Sequence, residues 1–355
     1  MELSIQLKNN SDWMRFAKNL IPLLIFIFSF SVSQAEETRK DTLVNIAWRD
    51  TFKLQKAQIY DLDSTHSMLF THPKPFSFLL NVPSDLYQLA KAPFKKENLV
   101  SSAALCAGTL FLVAIDQHVT DGAQQFGRFI NLDPTKKSKT VLEVKFGGFN
   151  VDVLDLPQNV NSSMYFLGEG WPSILIASGF YGYGLMANDY RALQTTSQLT
   201  EMFFTLAITT QFLKRITGRQ SPFRATQPGG VWHPFPSPGI YQKNVSHYDA
   251  FPSGHMATAM ATVTILAGNY PDNKFIKPVG YTLMGLLGYS MLNNGVHWLS
   301  DYPLAIAIGY TCGIIALLRG NQKILKPGTV YGSSKTLSPI YLGQGNIGLC
   351  YKVIF

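Results

Sequence analysis

Six apolar stretches of helical length, residues 101–115, 172–187, 200–213, 255–268, 279–292 and 302–318, constrain the fold of this chain more than any other feature. Each is long enough for about three or four helical turns, and Pro and Gly gather between the stretches rather than inside them. Ala257, Ala259, Ala261, Gly280, Gly285 and Gly288 are small, which lets helix backbones approach closely. These features predict a mainly α chain built around a six-helix bundle over residues 99–320. The stretches run short of the roughly 20 residues that cross a bilayer, and several carry Thr, Tyr or Gln in mid-run. Residues 302–318 are the best candidate span, and the reading leans towards membrane association without fixing six crossings.

The flanks read differently. Lys8, Arg15 and Lys18 precede the apolar run 20–28, and Ser33 and Ala35 place small residues before Glu36. That layout is expected of a signal peptide over residues 1–35, hence of an exported protein. Residues 36–98 are mixed and polar, and are expected to form a cover of helices and loops. Alternation within 137–161 predicts a small hairpin. Ile347, Leu349, Tyr351, Val353 and Phe355 alternate near the C-terminus, so the tail 321–355 is expected to hold a short β-hairpin. Such alternation also suits the closing strand of an outer-membrane barrel, but the chain lacks the many strands a barrel needs.

The formal charge of +8 resides mostly outside the first 35 residues, where Lys8, Arg15 and Lys18 stand against Glu2 and Asp12. No basic run resembles a nucleic-acid arm, so the excess favours anionic substrates or an anionic membrane surface. Cys106 and Cys312 lie in apolar stretches, and the three cysteines show no metal-ligand spacing.

Chemistry concentrates in three short blocks. In the last, His297 and Asp301 are spaced i, i+4. On a helix that spacing lets the carboxylate hold one imidazole nitrogen and leave the other as nucleophile or base. In the middle block, His255 follows Pro252-Ser253-Gly254, a helix start whose backbone N–H groups suit an anion. In the first, Lys214 ends an apolar helical run before Gly218-Arg219-Gln220-Ser221-Pro222, where its ammonium can reach a phosphate. Two histidines, one oriented by a carboxylate and one beside an anion nest, suggest phosphoryl transfer through a phosphohistidine.

In this order the blocks resemble those of the type-2 phosphatidic acid phosphatase and vanadium haloperoxidase superfamily, over roughly residues 100–320. The family pattern is Lys-x6-Arg-Pro, then Pro-Ser-Gly-His, then Ser-Arg-x5-His-x3-Asp. The resemblance implies a six-helix bundle of that kind and a phosphatase acting on a phosphorylated small molecule or lipid, without a metal or other cofactor. It implies His297 as nucleophile, Asp301 as its orienting partner and His255 as acid and base. Lys214, Ser253, the Gly254 N–H and Arg219 are the expected phosphate ligands. A Gram-negative periplasm, or a membrane facing it, fits the family.

Two departures stand out: the motif arginines are Ser221 and Met291. Arginines there normally meet the charge that builds on the phosphoryl oxygens. Either flanking cations, Arg219 and Arg224, take over, or the chain binds a phosphorylated lipid or envelope partner without turnover. A vanadate haloperoxidase would lack much of its anion cage. Substrate identity and oligomeric state are not encoded in these motifs.

Overall fold

The computed structural model describes residues 57–146, 149–326, 334–343 and 346–354. The signal-like segment 1–35 and the beginning of the expected cover, 36–56, lie outside the described residues. In chain order come β1 (Ala57–Asp61), β2 (His66–Thr71), α1 (Ser77–Leu80), α2 (Val82–Lys91) and α3 (Leu99–Phe129). The β3 (Ser138–Phe146) and β4 (Phe149–Pro157) hairpin follows, then α4 (Val160–Phe166), α5 (Gly170–Ala187) and α6 (Tyr190–Thr217). After α7 (Pro238–Lys243) come α8 (Gly254–Asn269), α9 (Ile276–Asn293), α10 (Asp301–Leu317) and β5 (Asn321–Leu325). A closing pair, β6 (Ser334–Gly343) and β7 (Asn346–Ile354), is the hairpin expected at the C-terminus.

The six apolar stretches become α3, α5, α6, α8, α9 and α10. Helices α8 and α10 form the centre, where Ala257, Ala261 and Ile265 share one core with Ala305, Ile308 and Cys312. Close approach is obligatory here: a Cβ on Gly309 would overlap the Ala257 carbonyl, and one on Gly313 would press on Thr264. Met202 and Leu206 of α6 and Leu287 of α9 complete the core. Burying such a side chain contributes about 1.5–3 kcal/mol each, which holds the helices together far more than propensity does.

The outer faces are apolar too. Leu110, Leu175, Phe212 and Val279 are exposed, and Met186 is 91% exposed. Among the described residues, the helix long and apolar enough to cross a membrane is the one ending at Phe129, over Lys96–Phe129, with mean hydropathy 1.9. This differs from the sequence expectation, which favoured 302–318. That segment forms α10, 17 residues long, and its Ala305, Cys312 and Ala316 lie in the core.

The cover before α3 is also not wholly helix and loop. Residues 57–71 form an antiparallel hairpin, and β2 pairs on its other edge with β5. The turn is closed by Asp63, whose carboxylate accepts from the Thr65 and His66 backbone N–H groups at 2.7 Å. Burial of Met68, Leu69 and Phe70 then seats β2 against the bundle.

At the end of the bundle where α10 finishes, Arg319 joins Asp85 and Glu201, linking α2 and α6. The other end, where α10 begins at Asp301, carries the motif residues.

Candidate active site

Helix α6 delivers Lys214. Asp189 caps its start by accepting from the Ala192 N–H at 2.8 Å. Gly218 ends it in the left-handed conformation, φ 57°, donating its N–H to the Lys214 carbonyl. A side chain at Gly218 would collide with the His233 carbonyl, so the stop is built for glycine. Lys214 is buried and its Nζ lies 3.5 Å from Asp249 Oδ2. A Cβ added to Gly254 would stand 4.0 Å from that ammonium, so Lys214 reaches the start of α8.

Helix α8 begins at the middle block. Ser253 is its N-cap, accepting from the Met256 N–H at 3.4 Å. The Ser253 N–H donates to the Asp301 carbonyl at 3.1 Å, which ties the starts of α8 and α10 together. The first N–H groups of a helix have no acceptor within it, and here they adjoin Lys214. His255 packs its ring 5.8 Å from that of His297, at 69°, and 4.6 Å from that of Tyr165.

His297 lies in the turn between α9 and α10, and Asp301 is the first residue of α10. The expected i, i+4 pair on one helix is thus realised by a turn running into a helix. His297 Nδ1 is 2.7 Å from the Ala250 carbonyl and 3.3 Å from Asp301 Oδ2. A carbonyl oxygen only accepts, so Nδ1 carries the proton, which in the neutral ring leaves the lone pair on Nε2. Asp301 Oδ2 also accepts from the Trp298 N–H at 2.8 Å, which fixes the carboxylate against the turn.

Arg219 is placed differently from the sequence expectation. It is fully buried: Nη1 donates to Ser300 Oγ at 2.6 Å and Asp301 Oδ1 at 2.8 Å. Nη2 donates to Asp116 Oδ2 at 2.7 Å and the Gly229 carbonyl at 3.0 Å. Trp232 and Trp298 sit against the guanidinium, with ring centroids at 4.7 and 5.2 Å. Arg219 is therefore placed as a brace between two carboxylates, with both terminal nitrogens engaged there. Its backbone helps as well, because its carbonyl accepts from the Ala250 N–H at 3.0 Å. One residue thus sets both groups that hold His297.

Arg224 is exposed, with Phe223 beneath it at 5.2 Å. Ser221 is buried and its N–H donates to the Ser246 carbonyl. Met291 is fully buried, and its Sδ accepts from Ser253 Oγ at 3.7 Å. The position read from the sequence as that of the third-block arginine therefore holds an apolar side chain in contact with the α8 cap.

Sequence reasoning missed Ala250, Asp249, Asp116 and Tyr165. Asp116 offered one signal, a carboxylate directly after the apolar stretch 101–115 and inside α3, which demands a buried partner.

Residues 196–324 match the family model of the PAP2 superfamily, the same family as the three-block resemblance. Comparison with curated proteins gives no match. LpxE of Aquifex aeolicus is similar at 18% identity, covering 44% of this chain and 83% of that one, with a TM-score of 0.32. A transmembrane PAP2-type phosphatidylglycerolphosphate phosphatase from Bacillus subtilis is similar at 14% identity, covering 60% and 92%, with a TM-score of 0.36.

Proposed function

We propose that this chain, whose residues 196–324 belong to the PAP2 superfamily, is a phosphatase that works through a phosphohistidine on His297. The observation that carries the reading is the clamp on His297 Nδ1 by the Ala250 carbonyl and Asp301, with His255 facing the ring. Nε2 attacks phosphorus, the bond to the leaving oxygen breaks, and His255 supplies that oxygen with a proton. His255 then takes a proton from water as the water displaces phosphate from His297.

Two carboxylates, Asp116 and Asp301, share the single guanidinium of Arg219 beside His297, a formal excess of one negative charge. That charge stabilises the imidazolium that forms as Nε2 bonds to phosphorus. Lys214, Ser253 and the Gly254 N–H meet the phosphoryl oxygens; no metal or other cofactor takes part in this scheme. The substrates are phosphate monoesters or diphosphates, lipid-linked, met at the periplasmic side of a membrane. The exposed apolar outer faces of α3, α5, α6 and α9 support membrane association.

The test is phosphate release from an aryl phosphate and a panel of lipid phosphates, by the purified chain and its His297→Ala variant. Release that vanishes in the variant is expected, and release that survives it rules the scheme out. Met291, buried where an arginine would stand, favours one second reading: a protein that binds a phosphorylated lipid without turnover. Binding undisturbed by His297→Ala, with no phosphate released, would establish that reading instead.

A further inference from the structure

With Arg219 spent on two carboxylates and Met291 and Ser221 uncharged, the phosphatase reading leaves Lys214 as the one motif cation. A second cation, outside every motif, stands against an aromatic neighbour of His255. Lys136 lies in the connection between α3 and β3, and its ammonium stands 4.7 Å from the centre of the Tyr165 ring. That same ring packs at 4.6 Å against His255. Burial above all, and then the nearby charges of His297, Lys214 and Lys136, hold the His255 imidazole well below its ordinary value, a shift that a bound phosphoryl anion opposes.

The placement of Lys136 is built. Asn159 caps α4, accepting from the Ser162 N–H at 2.7 Å, and its amide donates to the Thr135 carbonyl at 2.8 Å. The Lys137 N–H donates to Ser162 Oγ at 2.9 Å, and the Lys137 carbonyl accepts from the Gln158 N–H. Residues on both sides of Lys136 are thus pinned to the start of the helix that carries Tyr165. The neighbouring lysine points elsewhere, pairing with Asp133 at 2.7 Å.

The resting partner of Lys136 is Glu169, at 3.3 Å, in the turn before α5. Burial pushes the Glu169 carboxyl above its ordinary value, and Lys136 pulls the other way. The Lys136 side chain remains 43% exposed, so this pair is half in water and easily exchanged for a stronger anion.

Lys136 shares its aromatic neighbour with His255, the proton donor to the leaving group, and not with the attacking His297. We propose that Lys136 is a specificity-determining residue that holds an anionic leaving group. The preferred substrates are therefore diphosphate esters, cleaved at the terminal phosphoryl group, over monoesters of neutral alcohols. In the reaction His297 Nε2 bonds to the terminal phosphorus and the bridging P–O bond breaks. The electron pair stays on the departing monophosphate, which takes the His255 proton and leaves against the Lys136 ammonium. Water then releases inorganic phosphate from His297.

This inference rests on the phosphatase reading, and two substrates separate their failures. Phosphate release from farnesyl diphosphate and from an aryl phosphate is measured for the full chain and for Lys136→Ala, Lys136→Arg, Glu169→Gln and Lys137→Ala. A charged hydrogen bond lost from the leaving group lowers kcat/KM for the diphosphate about tenfold in Lys136→Ala, against less than about twofold for the aryl phosphate. Lys136→Arg restores the diphosphate rate, while Glu169→Gln and Lys137→Ala keep it. Equal losses on both substrates, no loss on either, or a loss reproduced by Glu169→Gln overturns the role of Lys136 and leaves the phosphatase intact. No release from either substrate by the folded wild-type chain overturns both.

Discussion

His297 and Ala250 are 47 residues apart in sequence, yet the imidazole Nδ1 donates to the Ala250 carbonyl at 2.7 Å, a closer contact than its 3.3 Å to Asp301. The tautomer of the proposed nucleophile is therefore set by backbone, and Asp301 adds charge to a ring already oriented.

Asp301→Asn separates these two contributions. Where a carboxylate alone fixes the tautomer, its amide costs about 10⁴-fold in kcat; with Ala250 in place a fall of about 10²-fold is expected. Steady-state kinetics on an aryl phosphate checks this, and a loss as complete as that of His297→Ala would mean Asp301 governs the ring.

Arg219→Ala tests the brace. Removing one partner from a buried charge network costs about 3–5 kcal/mol, because Asp116 and Asp301 then face each other unpaired. Thermal or denaturant unfolding should show that loss. A variant that unfolds like the wild type and only binds substrate more weakly would return Arg219 to the role of phosphate ligand.

How much of this was legible follows from where each partner lies. Lys214, His255, His297 and Asp301 were readable because their blocks are short and keep their order. The role of Arg219 was not, since it depends on Asp116, 103 residues upstream, and on Ser300. The Ala250 carbonyl could not be read at all, because any residue supplies one. The six helices followed from apolar runs alone, whereas β1 and β2 are only five and six residues long. Their third strand, β5, lies beyond the whole bundle in sequence, so no local pattern announced the sheet.

Met291→Arg restores the motif cation at a position with no exposure to solvent. Unliganded, the variant should melt lower than wild type, since an unpaired charge is buried. Added orthovanadate or inorganic phosphate should then raise its melting temperature more than that of the wild type, because the anion pairs with the new charge. Equal shifts in the two proteins would show that position 291 does not face the anion.

Gly309→Ala probes the α8–α10 contact that aligns the two histidine blocks. The new methyl group meets the Ala257 carbonyl, so a loss of about 1–3 kcal/mol is expected from overpacking. Chemical denaturation measures it; a loss near zero would mean the two helices can move apart freely.

The central claim is a phosphoryl group carried on His297, and the most direct measurement is to trap it. The His255→Ala variant lacks the group proposed to activate water, while a phosphate leaving group departs unprotonated more readily than an alcohol does, so the intermediate should accumulate. The variant is mixed with farnesyl diphosphate, quenched in alkali, where phosphohistidine persists, and its peptides are mapped by mass spectrometry. A phosphoryl group on His297 is the predicted result. Phosphate released by the wild-type chain, with no phosphoryl group on His297 in either protein, would contradict the account.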